Sequence, residues 1–454
     1  MNKIIKLTAI LFLIISASSC KKYLDIEPVG KVIPTTVEDF RALLNSGYVQ
    51  FPSHKSNLAF RTDELTLNFY TTETPNYYDQ YKWNDLNPDA TSMEMPYGGF
   101  YTSIFYANSV IEDIETRAGV STETAQIKGE AYLLRAYALF ELLNLYAKPF
   151  DKNTAATDRG VPISLKIDLE TNYKPSTVEV VYNQIFADLA AGQALLNVTS
   201  FPAGQNYRFS KRAALALTAR IHEFRGEWSS ALKASQEGLA INDKLEDLNA
   251  TANVLSPNNF KSVENIMSME SAFNPGATNA SFVSPHLLGI YDPQNDKRVA
   301  VYFKKATVFP GDAGYEENKD KLMSNKGNLN DFKISFRNGE LYLIKAEAAL
   351  QTEDLGTALQ TLLALKAKRL TPAYFATEQA RISGLGKADL YQEILNERER
   401  ELALEGHRWY DLRRYGQPVM THELKGVTYT IQKNDPRYTI RFPQSAIRAN
   451  PNLQ

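Results

Sequence analysis

The sequence predicts a mainly α-helical protein, and three observations carry that expectation. Apolar residues return at helical spacing over long stretches, and Ser or Thr caps stand ahead of two of them. Twice, two such stretches are separated by a short polar turn, with alanines where the helices would face each other. This is the helix-turn-helix layout of a tetratricopeptide-like unit, whose period is about 34 residues. Two loop-rich stretches, at about 47–100 and 242–331, interrupt the helices and mark an irregular part that would carry the binding function.

The chain opens with a basic start, Met1 to Lys6, and an apolar run from Leu7 to Ile15, the pattern of a secretory signal peptide. The run is too short to cross a bilayer as a helix, which takes about 20 apolar residues, and no later stretch is long enough. Ala17-Ser18-Ser19-Cys20 resembles a bacterial lipobox, with Ala17 in place of the usual bulky Leu. Residues 1–19 would then be removed and Cys20 lipidated, each buried methylene adding about 0.8 kcal/mol of membrane affinity. Cys20 is the sole cysteine, so the folded body can hold neither disulfides nor thiolate metal sites. Residues 20–30 are polar and serve as a tether, leaving 31–454 as one domain.

Thr36 caps a helix to about Ser46, with Asp39 in the place of a capping-box acid. Helices follow over about 101–115 and 122–146, and Ser176-Thr177-Val178-Glu179 opens another. Arg212 to Ile241 is a helix pair turning at Arg225-Gly226-Glu227, and a second pair begins at Asn338 and turns through 352–356. Lys387 to Tyr415 reads as one long helix whose charges alternate in sign. Arg398, Glu401, His407, Arg408 and Asp411 are placed to make a buried polar network there.

Composition narrows the function. A formal net charge of -2 offers no basic excess for nucleic acid. The histidines at 54, 222, 286, 407 and 422 lack metal-ligand spacing, so neither metal nor cofactor is expected. No nucleophile elbow, zinc helix or phosphate loop occurs, although a glycosidase carboxylate pair stays open among 52 acidic residues.

The segment ERERELALEGHRWYDLRRYG resembles the C-terminal signature of the SusD/RagB family of outer-membrane nutrient-binding lipoproteins. The helices FYTSIFYANSVIEDI, GEAYLLRAYALFELLNLYAKP and STVEVVYNQIFADL agree in order and spacing, as do Cys20 with the Lys-Lys-Tyr-Leu-Asp after it and the terminal FPQSAIRANPNLQ. The resemblance implies a SusD-like fold with about four tetratricopeptide-like pairs. It also implies non-catalytic capture of oligosaccharide or another nutrient at the outer face of the outer membrane. Delivery would be to a partner SusC-like TonB-dependent transporter, with the N-terminal lipid the only membrane contact. Surface exposure rests on this resemblance, because the tether after Cys20 carries one acid, Asp25, where surface-export signals are acidic. A tetratricopeptide-type scaffold without small ligand, or a surface glycosidase, is the alternative.

With 25 Tyr, 22 Phe and 3 Trp, aromatic platforms are available for sugar faces. Candidates in the first loop-rich stretch are Asp63, Tyr70, Tyr77, Tyr78, Tyr81 and Trp83. Those in the second are Phe273, Asn274, His286, Tyr291, Asp292 and Arg298. Trp228 and Trp409 read as packing.

Overall fold

The computed structural model describes residues 34–168, 170–327 and 330–454, so the signal peptide, Cys20 and the tether lie outside the described residues. Four helix pairs form the scaffold. With the longer helices numbered in chain order, α1 (Val37–Gln50) packs on α2 (Gly98–Ala118), and α3 (Thr122–Tyr146) packs on α4 (Val178–Leu195). In the same way α5 (Lys211–Phe224) packs on α6 (Trp228–Ile241), and α7 (Asn338–Gln351) on α8 (Leu355–Ala367). Contacts of α2 with α3 and of α6 with α7 join successive pairs.

Local chemistry sets the boundaries. The Thr36 hydroxyl accepts from the Asp39 amide at 3.1 Å while the Asp39 carboxylate accepts from the Thr36 amide at 3.0 Å, so α1 starts on a complete capping box. It runs to Gln50 rather than Ser46. Small residues set the approach between helices: a Cβ on Gly129 of α3 would lie 2.9 Å from the Gly192 carbonyl of α4. Buried ion pairs add register. Arg135 of α3 meets Asp188 of α4 at 2.6 Å, and Arg220 of α5 meets Glu340 of α7 at 2.6 Å.

The expected single helix from Lys387 to Tyr415 is two. Beyond α9 (Pro372–Ser383), which the sequence reading missed, α10 spans Lys387–Glu401 and α11 spans Arg408–Arg414. The break follows from the backbone. Leu404 and Gly406 take φ of 59° and 81°, a left-handed region where glycine is favoured. Gly406 also has Lys55 against it, and an added Cβ would meet the Lys55 Cβ at 2.7 Å. A hairpin was missed as well: strands Met420–Leu424 and Val427–Ile431 pair antiparallel across Lys425-Gly426, both at positive φ, the geometry a two-residue turn requires.

The two loop-rich stretches carry only short elements, and they meet. Strand Leu65–Leu67 of the first pairs antiparallel with Ser281–Val283 of the second, in the register Thr66 to Phe282. Beneath them lies a core of Phe60, Tyr77, Tyr81, Phe273, Tyr291, Tyr302 and Leu404, separate from the larger core that the helix pairs enclose.

A buried charge network clamps the second stretch to the helices. Glu401, fully buried, receives Arg337 at 2.6 Å, Arg369 at 2.8 Å and Arg298 at 3.0 Å. Arg298 also holds Glu397 and Asp296 at 2.7 Å each, and Glu405 takes Arg337 at 2.9 Å and Lys326 at 3.0 Å. The expected network residues are buried or partly so, and the arginines and acids among them have partners beyond their own helix. Arg398 pairs with Asp411 at 2.8 Å and Glu223 at 2.9 Å, Arg408 with Asp63 at 2.7 Å, and His407 is buried.

Burial alone would raise these carboxyls, yet the surrounding cations hold Glu397 and Glu401 well below the usual range and Glu405 at about 2. Groups with a depressed folded-state pKa contribute stability that is present above their unfolded value, near 4.5, and lost as pH falls through the folded value. Acid denaturation should therefore steepen below about pH 4.5, and Glu405→Gln should flatten that limb in a circular-dichroism titration. Glu401→Gln leaves buried guanidinium groups short of their carboxylate and should cost about 3–5 kcal/mol in a denaturant titration.

Candidate ligand-binding site

A cleft of about 420 Å³ opens where the two loop-rich stretches meet, just beyond the Leu65–Leu67 and Ser281–Val283 pair. Asn68, Tyr70 and Thr71 line it from the first stretch, and Asn279, Lys304, Asp312 and Asn318 from the second. Asn68 welds the two sides: its amide N–H donates to Ala280 O and its Nδ2 to Asn279 O, both at 2.9 Å. Its Oδ1 accepts from the Tyr70 amide at 3.1 Å, fixing the turn that delivers the tyrosine.

Tyr70 is half exposed, and Phe69 beside it in sequence and Phe309 of the second stretch are exposed. Gly314, at φ 74°, lies against the Tyr70 ring so closely that a Cβ there would run into it. One part of the ring is thus backed by the chain. Asp312 accepts from the Phe309 amide at 2.8 Å and so closes the 309–312 turn at the cleft wall. Asn318 is buried, and its Nδ2 has no hydrogen-bond partner among the described residues. A buried, unmet donor in a cleft wall is costly unless a ligand or water meets it.

Of the expected site residues only Tyr70 lines this cleft. Tyr77, Tyr81, Trp83, Phe273, Tyr291 and Arg298 are buried, which corrects their reading as ligand platforms. Tyr77 stacks on Phe60 at 4.1 Å, and His422 is stacked between Tyr81 and Trp83 at 4.1 and 4.3 Å. The Trp83 indole N–H donates to Arg61 O at 2.9 Å, and the Tyr291 hydroxyl to Arg400 O at 2.6 Å. Asn274 caps a short helix by accepting from the Ala277 amide at 2.7 Å, and Asp292 accepts the Gln294 and Asn295 amides at 2.9 Å each. Tyr78 is partly buried under the Lys425 ammonium.

Asp63 and His286 belong to another cluster. His286 Nε2 lies 2.7 Å from Glu399 and 3.4 Å from Asp63, while Arg408 bridges the two carboxylates at 2.7 and 2.9 Å. The ligand atoms of Asp63, His286 and Glu399 lie within 4.8 Å of one another, a proximity that chain spacing did not reveal. Arg408 already bridges both carboxylates, so the arrangement is an ion-pair cluster, not a preformed cation site. Burial would raise the Asp63 carboxyl, but the Arg408 guanidinium holds it below its ordinary value. Next to it, burial pushes Glu64 up to about 8.

Four helix pairs supporting a loop-built cleft define a tetratricopeptide-like binding scaffold. Two models of one family match the chain, one described as "starch-binding associating with outer membrane" over residues 22–222 and one as "SusD family" over residues 293–454. The chain belongs to the SusD/RagB family. Among its relatives, SusD-like protein P38 of Formosa agariphila is 25% identical, with 88% of this chain and 89% of that protein covered. SusD-like protein P25 of the same organism is 23% identical over 99% and 98%. A SusD superfamily protein of Bacteroides thetaiotaomicron superposes with a TM-score of 0.74 at 23% identity, covering 92% of this chain and 98% of that one. A SusD-like carbohydrate-binding protein of Bacteroides vulgatus does so at 0.69 and 20%, with the same coverage.

Two measurements follow from this geometry. Trp83→Ala should lower stability by about 3–5 kcal/mol in chemical denaturation, the cost of emptying a buried tryptophan site. The hydrogen bond that His286 donates to the Glu399 carboxylate raises the half-exposed imidazole above its ordinary 6.5. Its stabilising contribution is complete below that value and is lost as pH rises through the folded-state value. His286→Gln should therefore remove part of the fall in urea midpoint on the alkaline side of 6.5.

Proposed function

We propose that this protein is a cell-surface lipoprotein that captures oligosaccharide without turning it over and delivers it to a SusC-like TonB-dependent transporter. The observation that carries the capture step is the Tyr70 cleft, where an accessible ring and the exposed Lys304 and Asp312 line the same space. A sugar ring has apolar C–H faces and a rim of hydroxyls. Tyr70 offers the stacking surface, and Lys304 and Asp312 offer a donor and an acceptor that fix orientation.

The family description of outer-membrane association supports the location. No helix among the described residues is long and apolar enough to cross a membrane, which fits attachment through a lipid on Cys20. Capture needs a preformed site and a nearby exit, and a lid over a transporter supplies both.

Isothermal titration against a glycan panel tests the capture step. Tyr70→Ala should weaken binding about tenfold or more, the loss expected for a central aromatic contact. Unchanged affinity in the folded variant would remove the cleft from the reading. Loss of acyl labelling and of membrane association in Cys20→Ser would confirm the anchor, and retention of both would refute it. Co-purification with an outer-membrane transporter from native membranes is the expected result for the partner.

A further inference from the structure

A larger cleft, of about 900 Å³, opens where the first turns of α2 meet the 162–173 segment and the 443–450 chain end, and it shares no residue with the Tyr70 cleft. One side of α2 is spent on the core, through Phe100, Ile104 and Ala107. Another side presents Tyr101, Phe105 and Tyr106 to the cleft at helical spacing, each partly exposed. A helix in a closed domain normally carries one apolar stripe, so this second stripe calls for an occupant.

The walls are built rather than accidental. Tyr101 donates its hydroxyl to Pro162 O at 2.8 Å, fixing the 162–173 segment to α2. The chain end is tied to that same segment by Asn450 Nδ2 to Tyr173 O at 2.8 Å and Asn452 Nδ2 to Asn172 O at 2.7 Å. Polar groups rim the rings. The side chains of Lys166 and Asn172 are exposed and make no hydrogen bond or ion pair with other described residues.

Lining residues are shared beyond this cleft. Glu94, Met95 and Pro443 line both this cleft and a narrow waist of about 30 Å³. Asn84, Asp85 and Arg441 line both the waist and a hollow of about 570 Å³ beside Tyr429. A waist of that size admits about one water, so it closes the trough at that end, and an extended chain would lie along the 900 Å³ cleft, open to solvent, without passing into the hollow. Unpaired charges along it balance, Lys166 and Arg441 against Glu94 and Asp168, and so select no charged polymer.

From this we infer that the trough is a second binding site, taking a linear neutral oligosaccharide chain independently of the Tyr70 cleft. The rings of α2 meet the C–H faces of successive sugars, and the rim amide and ammonium meet their hydroxyls. Two sites on one chain would hold a long polymer by effective concentration, without new contacts at either site.

The test is calorimetric titration with maltohexaose, cellohexaose, xylohexaose and laminarihexaose, on the wild-type chain and on Tyr70→Ala. The expected result is that at least one of them binds at two sites on the wild type and at one on Tyr70→Ala. Adding Tyr106→Ala to Tyr70→Ala should weaken that remaining site about tenfold or more. Adding Asn172→Ala instead, at an exposed position that leaves folding intact, should weaken it several-fold. Failure of all four sugars to bind Tyr70→Ala, or binding that neither added substitution changes, would overturn the inference. Binding that depends on Tyr106 and Asn172 but not on Tyr70 would sustain the inference and refute the Tyr70 cleft.

Discussion

Glu401 is the group on which the arrangement of the rest depends. A carboxylate with no exposure is costly on its own, and here it is surrounded by arginines from separate parts of the chain: Arg298 in the second loop-rich stretch, Arg337 at the entry to α7 and Arg369 after α8. Removing any one partner leaves a buried charge uncompensated. The network therefore contributes less as net attraction than as a condition that only one assembly of these segments satisfies. Hydrophobic burial holds the helix pairs together, while the charges decide how the irregular part is seated on them.

That seating explains why so much of a loop-rich region is ordered core. The second stretch is held at its base by Asp296, Arg298 and Lys326 and at its edge by pairing with Leu65–Leu67. Between these attachments lies the short span from Lys304 to Asn318 that walls the Tyr70 cleft. The break between α10 and α11 serves the same end. It lets Glu401 and Glu405 both reach Arg337, and it hands the Leu404 amide to buried Glu64 at 2.8 Å.

The helix pairs were legible in the sequence because their signals are local. Caps such as Thr36, the Arg225-Gly226-Glu227 turn and apolar periodicity each act within a few residues. The candidate site was legible only as two regions, which meet through the pairing of Leu65–Leu67 with Ser281–Val283. Which aromatic in them faces solvent depends on contacts made far away in sequence: Trp83 is covered by His422, and Tyr291 is drawn under by Arg400 O. Composition counts rings and cannot tell a platform from a core side chain. Asn318 carried no signal at all, since what marks it is a donor left without a partner among the described residues. Periodicity also failed at Leu404, because a charge-laced helix and a helix broken by a left-handed turn have the same pattern.

Gly314, pressed against Tyr70, carries an evolutionary consequence. The wall it belongs to consists mostly of exposed residues and contributes little to either core. Substitutions between 306 and 316, Gly314 apart, can reshape the cleft while the network at Glu401 stays intact. The shape of the cleft is thereby uncoupled from the risk of misfolding, and a lineage can vary it on a scaffold that does not have to be reinvented each time.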